Sequence, residues 1–274
     1  MTPLINYNEL WSLFHQKKRG SGVDWDKRAP SFFQAVSSSN EADEIIPALN
    51  LLPADTVLDM GAGTGRFAIP LAKYVTHVTA VEPSSGMASY LKQGMANAGQ
   101  NNYSIVSKRW EEIEIEKDIP LHDVVFASNS LGFYDLAAGL KKLDAAAKRS
   151  VHILWFAGPD RHPMDEELMI RLGLLPGNSI GFDYIIIAHV LHDMGIYANI
   201  RVDPIKSIHT YDSLDEAVTW WAERRNIEPE KVPVIREYLE EKLTPMDNGR
   251  LSMSRKGWRA HLWWEKSGIF ESNE

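Results

Sequence analysis

The stretch VLDMGAGTG (57–65) ends a short apolar run in an aspartate and then sets glycines at alternate positions, 61, 63 and 65. Such a turn lets a ligand lie against bare backbone. A phosphate loop would need Lys-Ser or Lys-Thr after its last glycine, to reach phosphate and magnesium. Arg66 and Phe67 stand there instead. A dinucleotide fingerprint, G-x-G-x-x-G, uses its third glycine for close helix–strand packing beside a pyrophosphate. Counted from Gly61, that position is Arg66. What remains is D-x-G-x-G-x-G, with Asp59 at a strand end, where a carboxylate repels pyrophosphate but suits a cationic group. The next strand ends in Glu82, 17 residues beyond Gly65, and a carboxylate there can accept both hydroxyls of a ribose. A ligand with a free ribose, an amino or sulfonium charge and no phosphate fits these residues. S-adenosylmethionine is such a ligand.

The elements that must hold these groups follow from hydrophobic periodicity. Apolar, β-branched runs predict strands at TVLDM (56–60), HVTAVE (77–82), YSIVS (103–107), DVVFAS (123–128) and VHILWF (151–156). One-sided helices fall between them at 65–75, 84–99 and 136–149. This alternation predicts an α/β fold, a doubly wound and mostly parallel sheet with helices on both faces.

A helical cap over 1–52 precedes the cofactor core of 53–160. Its helices are expected at 6–18, with Leu10, Trp11, Leu13 and Phe14 on one face, at 25–36 and at 38–52, the last with a serine cap ahead of Glu41. Residues 161–211 read as late core and a lid. They include helices at 164–174 and 183–193, a loop at 176–181, and a strand over 197–211 broken by a proline. An inserted helix pair fills 212–249, with helices at 213–227 and 229–243, the first capped within DSLDE. A final strand at 250–266 lies in 250–274, and the whole reads as a single domain.

VLDMGAGTG, AVEPSSGM (80–87), RWEEIEI (109–115) and DVVFASNSLGFYD (123–135) together resemble the ordered motifs of the class I S-adenosylmethionine-dependent methyltransferases. The resemblance covers about residues 20–160, and strands 197–211 and 250–266 resemble the antiparallel hairpin that ends the family's seven-stranded, Rossmann-like sheet. It implies S-adenosyl-L-methionine as cofactor and assigns roles by position. Gly61, Ala62, Gly63 and Gly65 form the loop that lines it, with Asp59 near its amino group. Glu82 would hold the ribose. Pro83, Ser84 and Met87 would flank the adenine, Trp110 and Glu111 would border its edge, and Asn129 would meet the methionine moiety.

The chain has 274 residues, a net charge of −8 and no cysteine. Thiolate metal sites, disulfides and methyl transfer through a cysteine adduct on a pyrimidine are therefore excluded. The acidic balance disfavours nucleic acid, since binders of it present a basic stripe. No signal-like start and no apolar run of membrane length appear, so a cytoplasmic protein is expected, with no membrane partner. NSLG (129–132) follows the fourth strand where an Asn/Asp-Pro-Pro-Tyr/Phe motif would serve exocyclic amines of bases, and no acidic residue ends that strand to clamp magnesium on a catechol.

A small-molecule acceptor is thus the expectation. Its pocket candidates are Trp25, Phe133, Tyr134, Trp155, His162, His189, His192 and Tyr197. Tyr134, His189 and His192 are the candidates for catalysis. His189, His192 and Asp193 share helical spacing and could serve as a base or a metal site, although polar groups on a packed helix are the plainer reading. The alternatives are a protein or RNA methyltransferase and a catalytically silent cofactor-binding scaffold, with a nicotinamide oxidoreductase weakest. Trp258, Trp263 and Trp264 leave self-association through a sheet edge open.

Overall fold

The computed structural model describes residues 5–18, 24–36, 40–158, 163–174, 183–225 and 227–266. His162 and the turn at 176–181 lie outside them. The strands are β1 (Thr56–Met60), β2 (His77–Val81), β3 (Tyr103–Val106), β4 (His122–Ser128), β5 (Ala147–Ala157), β6 (Asn199–Tyr211), β7 (Thr244–Pro245) and β8 (Leu251–Glu265). They form one sheet in the order β3-β2-β1-β4-β5-β8-β6, with β7 added beside β8. β1 to β5 pair in parallel, which is the doubly wound, mostly parallel arrangement predicted above, completed by an antiparallel C-terminal strand.

Ten helices are described: α1 (Tyr7–Lys18), α2 (Trp25–Val36), α3 (Glu41–Ile45), α4 (Ala68–Leu71), α5 (Ser85–Asn97), α6 (Leu136–Ala146), α7 (Pro163–Arg171), α8 (Tyr184–Asp193), α9 (Leu214–Arg225) and α10 (Val232–Lys242). Among the described residues, none is long and apolar enough to cross a membrane.

The chain divides into two compact units. The first comprises Met1–Trp155, Tyr184–Arg201 and Ala260–Glu274. In it, alternate strand residues Val57, Ala80 and Phe126 bury one sheet face against Leu49, Leu71 and Leu91 from the helical side. The second comprises Phe156–Asp183 and Val202–Arg259, and its core gathers Leu168, Trp221, Tyr238 and Leu239 from α7, α9 and α10. The Trp221 indole donates to the Tyr211 hydroxyl at 3.0 Å, which leaves its N–H satisfied inside that core.

Several boundaries differ from the sequence expectation, each for a local reason. α6 stops at Ala146 and β5 begins at once, at Ala147. Sheet pairing of Ala147 with His122 overrides the helical preference of AAAK. α4 spans only four residues, because the chain remains in turns through Phe67. α3 passes into a 3-10 turn at Ile46–Leu49 that carries Pro47, and its cap is Asn40 without a side-chain hydrogen bond, not a serine. β6 runs unbroken through Pro204, in an edge position, where strands tolerate proline. The cap within DSLDE is present: Ser213 Oγ accepts from the Glu216 N–H, and the Glu216 carboxylate accepts from the Asp212 N–H.

Candidate active site

β1 and β2 lie in register with Asp59 beside Ala80 and Met60 beside Val81, so their carboxyl ends emerge together. The loop after β1 is strapped to the end of β2 by the N–H groups of Gly61 and Ala62, which both donate to the Val81 carbonyl, at 2.8 and 3.1 Å. Glu82 follows directly. One of its carboxylate oxygens accepts from the Gly63 N–H and the other from the Ser84 N–H, each at 2.8 Å. The carboxylate is thereby fixed between the glycine loop and the start of α5, with a lone pair on each oxygen left for a ligand. Glu82 is buried, and burial raises its pKa against the lowering effect of those two N–H groups.

Asp59 is 2% exposed. Burial pushes its carboxyl up to about 7, while the Arg66 guanidinium pulls it down and Glu82 adds to the rise. Arg66 is itself engaged elsewhere, donating to the Glu41 carboxylate and to Ser128 Oγ. Two buried carboxylates therefore meet at the strand ends, and each gains from a ligand that brings hydroxyl donors or positive charge.

The loop glycines are not equivalent. Gly61 has φ +75°. A Cβ on it would lie 2.3 Å from Ser130 Cβ, so it admits the loop after β4, where Ser130 Oγ donates to the Met60 carbonyl at 2.6 Å. Gly65 packs on Ile69 and Leu91. Gly63, at φ +57°, is the least crowded: its added Cβ would meet only the Phe32 ring, at 3.6 Å, an ordinary van der Waals contact. Thr64 between them is 2% exposed and its hydroxyl has no hydrogen-bond partner. An orphaned buried hydroxyl in this loop is a group that a ligand can satisfy. Two carboxylates and a spare hydroxyl suit the ribose, amino and carboxyl groups of S-adenosylmethionine.

The other sequence candidates divide. Ser84 caps α5, its side chain accepting from the Met87 N–H at 3.1 Å; Met87 is buried behind it and Pro83 is exposed beside it. Asn129 is exposed at φ +53°, with its N–H on the Leu154 carbonyl. Trp110 is buried, and its indole donates to the Gly139 carbonyl of α6 at 3.2 Å, a core contact on the α6 side of the sheet. Glu111 is exposed next to it. Lys142 of α6 binds the carbonyls of both residues, and this holds the segment in place.

α1 grips the loop that leaves β4, which carries the acceptor-pocket candidates Phe133 and Tyr134. Trp11 donates to the Phe133 carbonyl at 2.9 Å and Ser12 Oγ to the Tyr134 carbonyl at 2.8 Å. The Asn8 side chain accepts from the Ala137 N–H at the start of α6. Phe133 and Trp155 are buried, whereas Tyr134 is 41% exposed. His189 stacks on Tyr7 of α1 at 4.0 Å, and His192 meets the edge of Tyr197. The two histidines thus serve different contacts, and among the described residues no three His, Asp or Glu side chains come together as metal ligands. The sequence reading missed Thr64, Ser130 and Asp26. Asp26 of α2 accepts from Ser84 Oγ, Ser85 Oγ and the Gly86 N–H, a partnership about 60 positions long that no local pattern announces.

Residues 57–150 match a family model described as a methyltransferase domain. An uncharacterized protein of Haemophilus influenzae is 28% identical over 254 residues, covering 90% of each chain. A 23S rRNA (uracil(1939)-C(5))-methyltransferase of Klebsiella pneumoniae is 39% identical over 66 residues, which are 24% of this chain and 14% of that one. Among solved structures, an S-adenosylmethionine-dependent methyltransferase from Geobacter sulfurreducens in complex with S-adenosyl-L-homocysteine superposes with TM-score 0.52. It is 12% identical, with 86% of this chain and 97% of that chain covered, a likeness of fold. Motif order, strand order and the matched domain converge on a methyltransferase domain over residues 57–150, in a chain with the Rossmann-like fold of S-adenosylmethionine-dependent methyltransferases.

Proposed function

We propose that this protein transfers the methyl group of S-adenosylmethionine to a small organic acceptor. The observation that carries the reading is the fixed, buried Glu82 carboxylate beside buried Asp59, at the ends of adjacent parallel strands. When bound, the cofactor supplies a methyl group on a cationic sulfur, open to in-line attack. The residues of the chain do the positioning. Glu82 accepts the ribose hydroxyls, and Asp59 faces the amino group. The loop from Asn129 to Tyr134, held by α1, borders the side from which the acceptor approaches. Positioning of this kind can supply much of the acceleration of a displacement.

The small-molecule assignment rests on what the chain offers to larger acceptors. Methylation at uracil C5 requires a nucleophile to add to the ring first, and the chain has no cysteine to do so. The rRNA methyltransferase match covers only 14% of that protein. A net charge of −8 gives an RNA backbone little to bind.

The test is transfer of labelled methyl from S-adenosylmethionine into a cell extract, followed by size separation. Label in the low-mass fraction is expected. Label that stays with macromolecules and is removed by ribonuclease or protease would replace the small-molecule reading with the RNA or protein one.

A further inference from the structure

The ends of β1 and β2 gather more acidic than basic groups. Asp59 and Glu82 are both buried there, on adjacent strands. Glu82 has the N–H groups of Gly63 and Ser84 to hold its charge. Asp59 has the Ala68 N–H alone, together with the charge of the Arg66 guanidinium, and Glu82 acts against it. Among the described residues these are the charged groups that act on Asp59, and behind Glu82 stands a further carboxylate, Asp26. A buried carboxyl with so little support ionises at a cost.

Arg66 is a divided cation. One guanidinium nitrogen donates to the Glu41 carboxylate of α3 at 2.5 Å and another to Ser128 Oγ, at the end of β4, at 3.1 Å. The guanidinium also lies over the Phe67 ring at 4.9 Å, and Phe67 rests on Phe126 of β4 at 4.8 Å. Both side chains of the Arg66–Glu41 pair are largely withdrawn from water, at 19% and 17% exposed. The fork is therefore fixed on Glu41, and it reaches Asp59 by charge alone. A guanidinium does not give up its proton in a protein, so a proton that comes and goes in this cluster sits on a carboxyl.

Building on the cofactor assignment above, we propose that Arg66 and Glu41 are positioning residues that set the charge of Asp59, so that the empty site holds a proton on that carboxyl and a cationic cofactor expels it. The step balances simply: the O–H bond of Asp59 breaks, the proton passes to solvent, and the carboxylate left behind faces the positive group of the ligand. Glu41 competes with Asp59 for the one guanidinium and so favours the protonated form. Arg66 opposes it and keeps the proton loose enough to leave. Burial sets the balance point, with the Asp59 carboxyl pushed up to about 7. At that pH the empty site is half protonated, and complete ionisation on binding releases about half a proton.

The test is calorimetric titration of the full chain with S-adenosylmethionine at pH 7, in two buffers of different ionisation heat, which counts the protons released. Wild type is expected to release about half a proton. A shift of about one pH unit in each variant takes Arg66→Met to about 0.9 and Glu41→Gln to about 0.1, while Arg66→Lys, which keeps the charge, returns toward wild type. Asp59→Asn is expected to bind with no release. A purely structural role for the Arg66–Glu41 pair would weaken binding without moving the proton count in opposite directions. Wild type that binds without releasing a proton would overturn the proposal, and this arm needs no variant to fold. So would a folded Asp59→Asn variant that releases as much as wild type, or folded Arg66→Met and Glu41→Gln variants that leave the count unchanged. A wild type that does not bind at all would instead remove the cofactor assignment itself.

Discussion

Replacing Gly61 with alanine separates two things that a motif glycine can do. At φ +75° an L-residue meets a backbone cost of about 1–2 kcal/mol. The new Cβ would also sit 2.3 Å from Ser130 Cβ, well inside contact, and relieving such an overlap costs about 1–3 kcal/mol. Together Gly61→Ala should destabilise the first unit by about 2–5 kcal/mol. Only the second part depends on Ser130. In a double-mutant cycle, Ser130→Gly should return about 1–3 kcal/mol to the alanine variant, although alone it loses the hydrogen bond to the Met60 carbonyl. Because the chain has two compact units, the clean readout is hydrogen exchange at the amides of β1 and β4, which reports local opening of the first unit. A Gly61→Ala variant within about 0.5 kcal/mol of wild type, or a cycle with no coupling, would refute the argument that this glycine exists for the approach of the β4 loop.

Further outcomes follow from the same geometry. The Asp59 carboxyl, moved from 3.8 to about 7 by burial, binds a proton more readily in the folded than in the unfolded chain. Its contribution therefore favours folding at low pH and is lost as pH rises through that window. Denaturation of the ligand-free protein between pH 4 and 8 should show this fall, and Asp59→Asn should flatten it; a variant with an unchanged slope would contradict it. A cationic ligand favours the ionised form, so affinity for S-adenosylmethionine should rise with pH toward about 7, and equal affinity at pH 5.5 and 7.5 would argue against contact with Asp59. Trp11→Phe leaves the Phe133 carbonyl without its donor, which should cost about 1–3 kcal/mol and speed exchange at the start of α6. An unchanged exchange rate there would show that α1 does not hold the loop.

The sheet was legible in the sequence because its strands are nearly all apolar. TVLDM, HVTAV and DVVFA need no context to be read as buried β structure, and parallel strands covered on both faces produce such runs. Boundaries set by partners were less legible. AAAKRS reads as helix until the pairing with β4 draws Ala147 into the sheet, and Pro204 reads as a strand break until β6 is seen to lie at an edge. Asp59 and Glu82 stand out in the sequence as carboxylates at strand ends, and the structure buries both at the ends of adjacent strands. The packing of Trp110 was less legible: a tryptophan after the third strand suits an adenine edge or a core equally well, and the bond to Gly139 depends on how α6 packs. The docking of Asp26 on Ser84, Ser85 and Gly86 is a tertiary contact with no local signature. α2 was visible as a helix, but its contact with the start of α5 was not.

The most direct test of the cofactor site is calorimetric titration of wild type, Glu82→Gln and Glu82→Ala with S-adenosylmethionine, with NAD as control. Loss of two hydrogen bonds to a charged acceptor, at about 1.5 kcal/mol each, predicts binding weaker by about a hundredfold in Glu82→Ala. The glutamine variant, which keeps neutral acceptor capacity, should fall between it and wild type, and NAD should not bind. Equal affinity in wild type and both variants would contradict ribose recognition by Glu82 and, with it, the site described here.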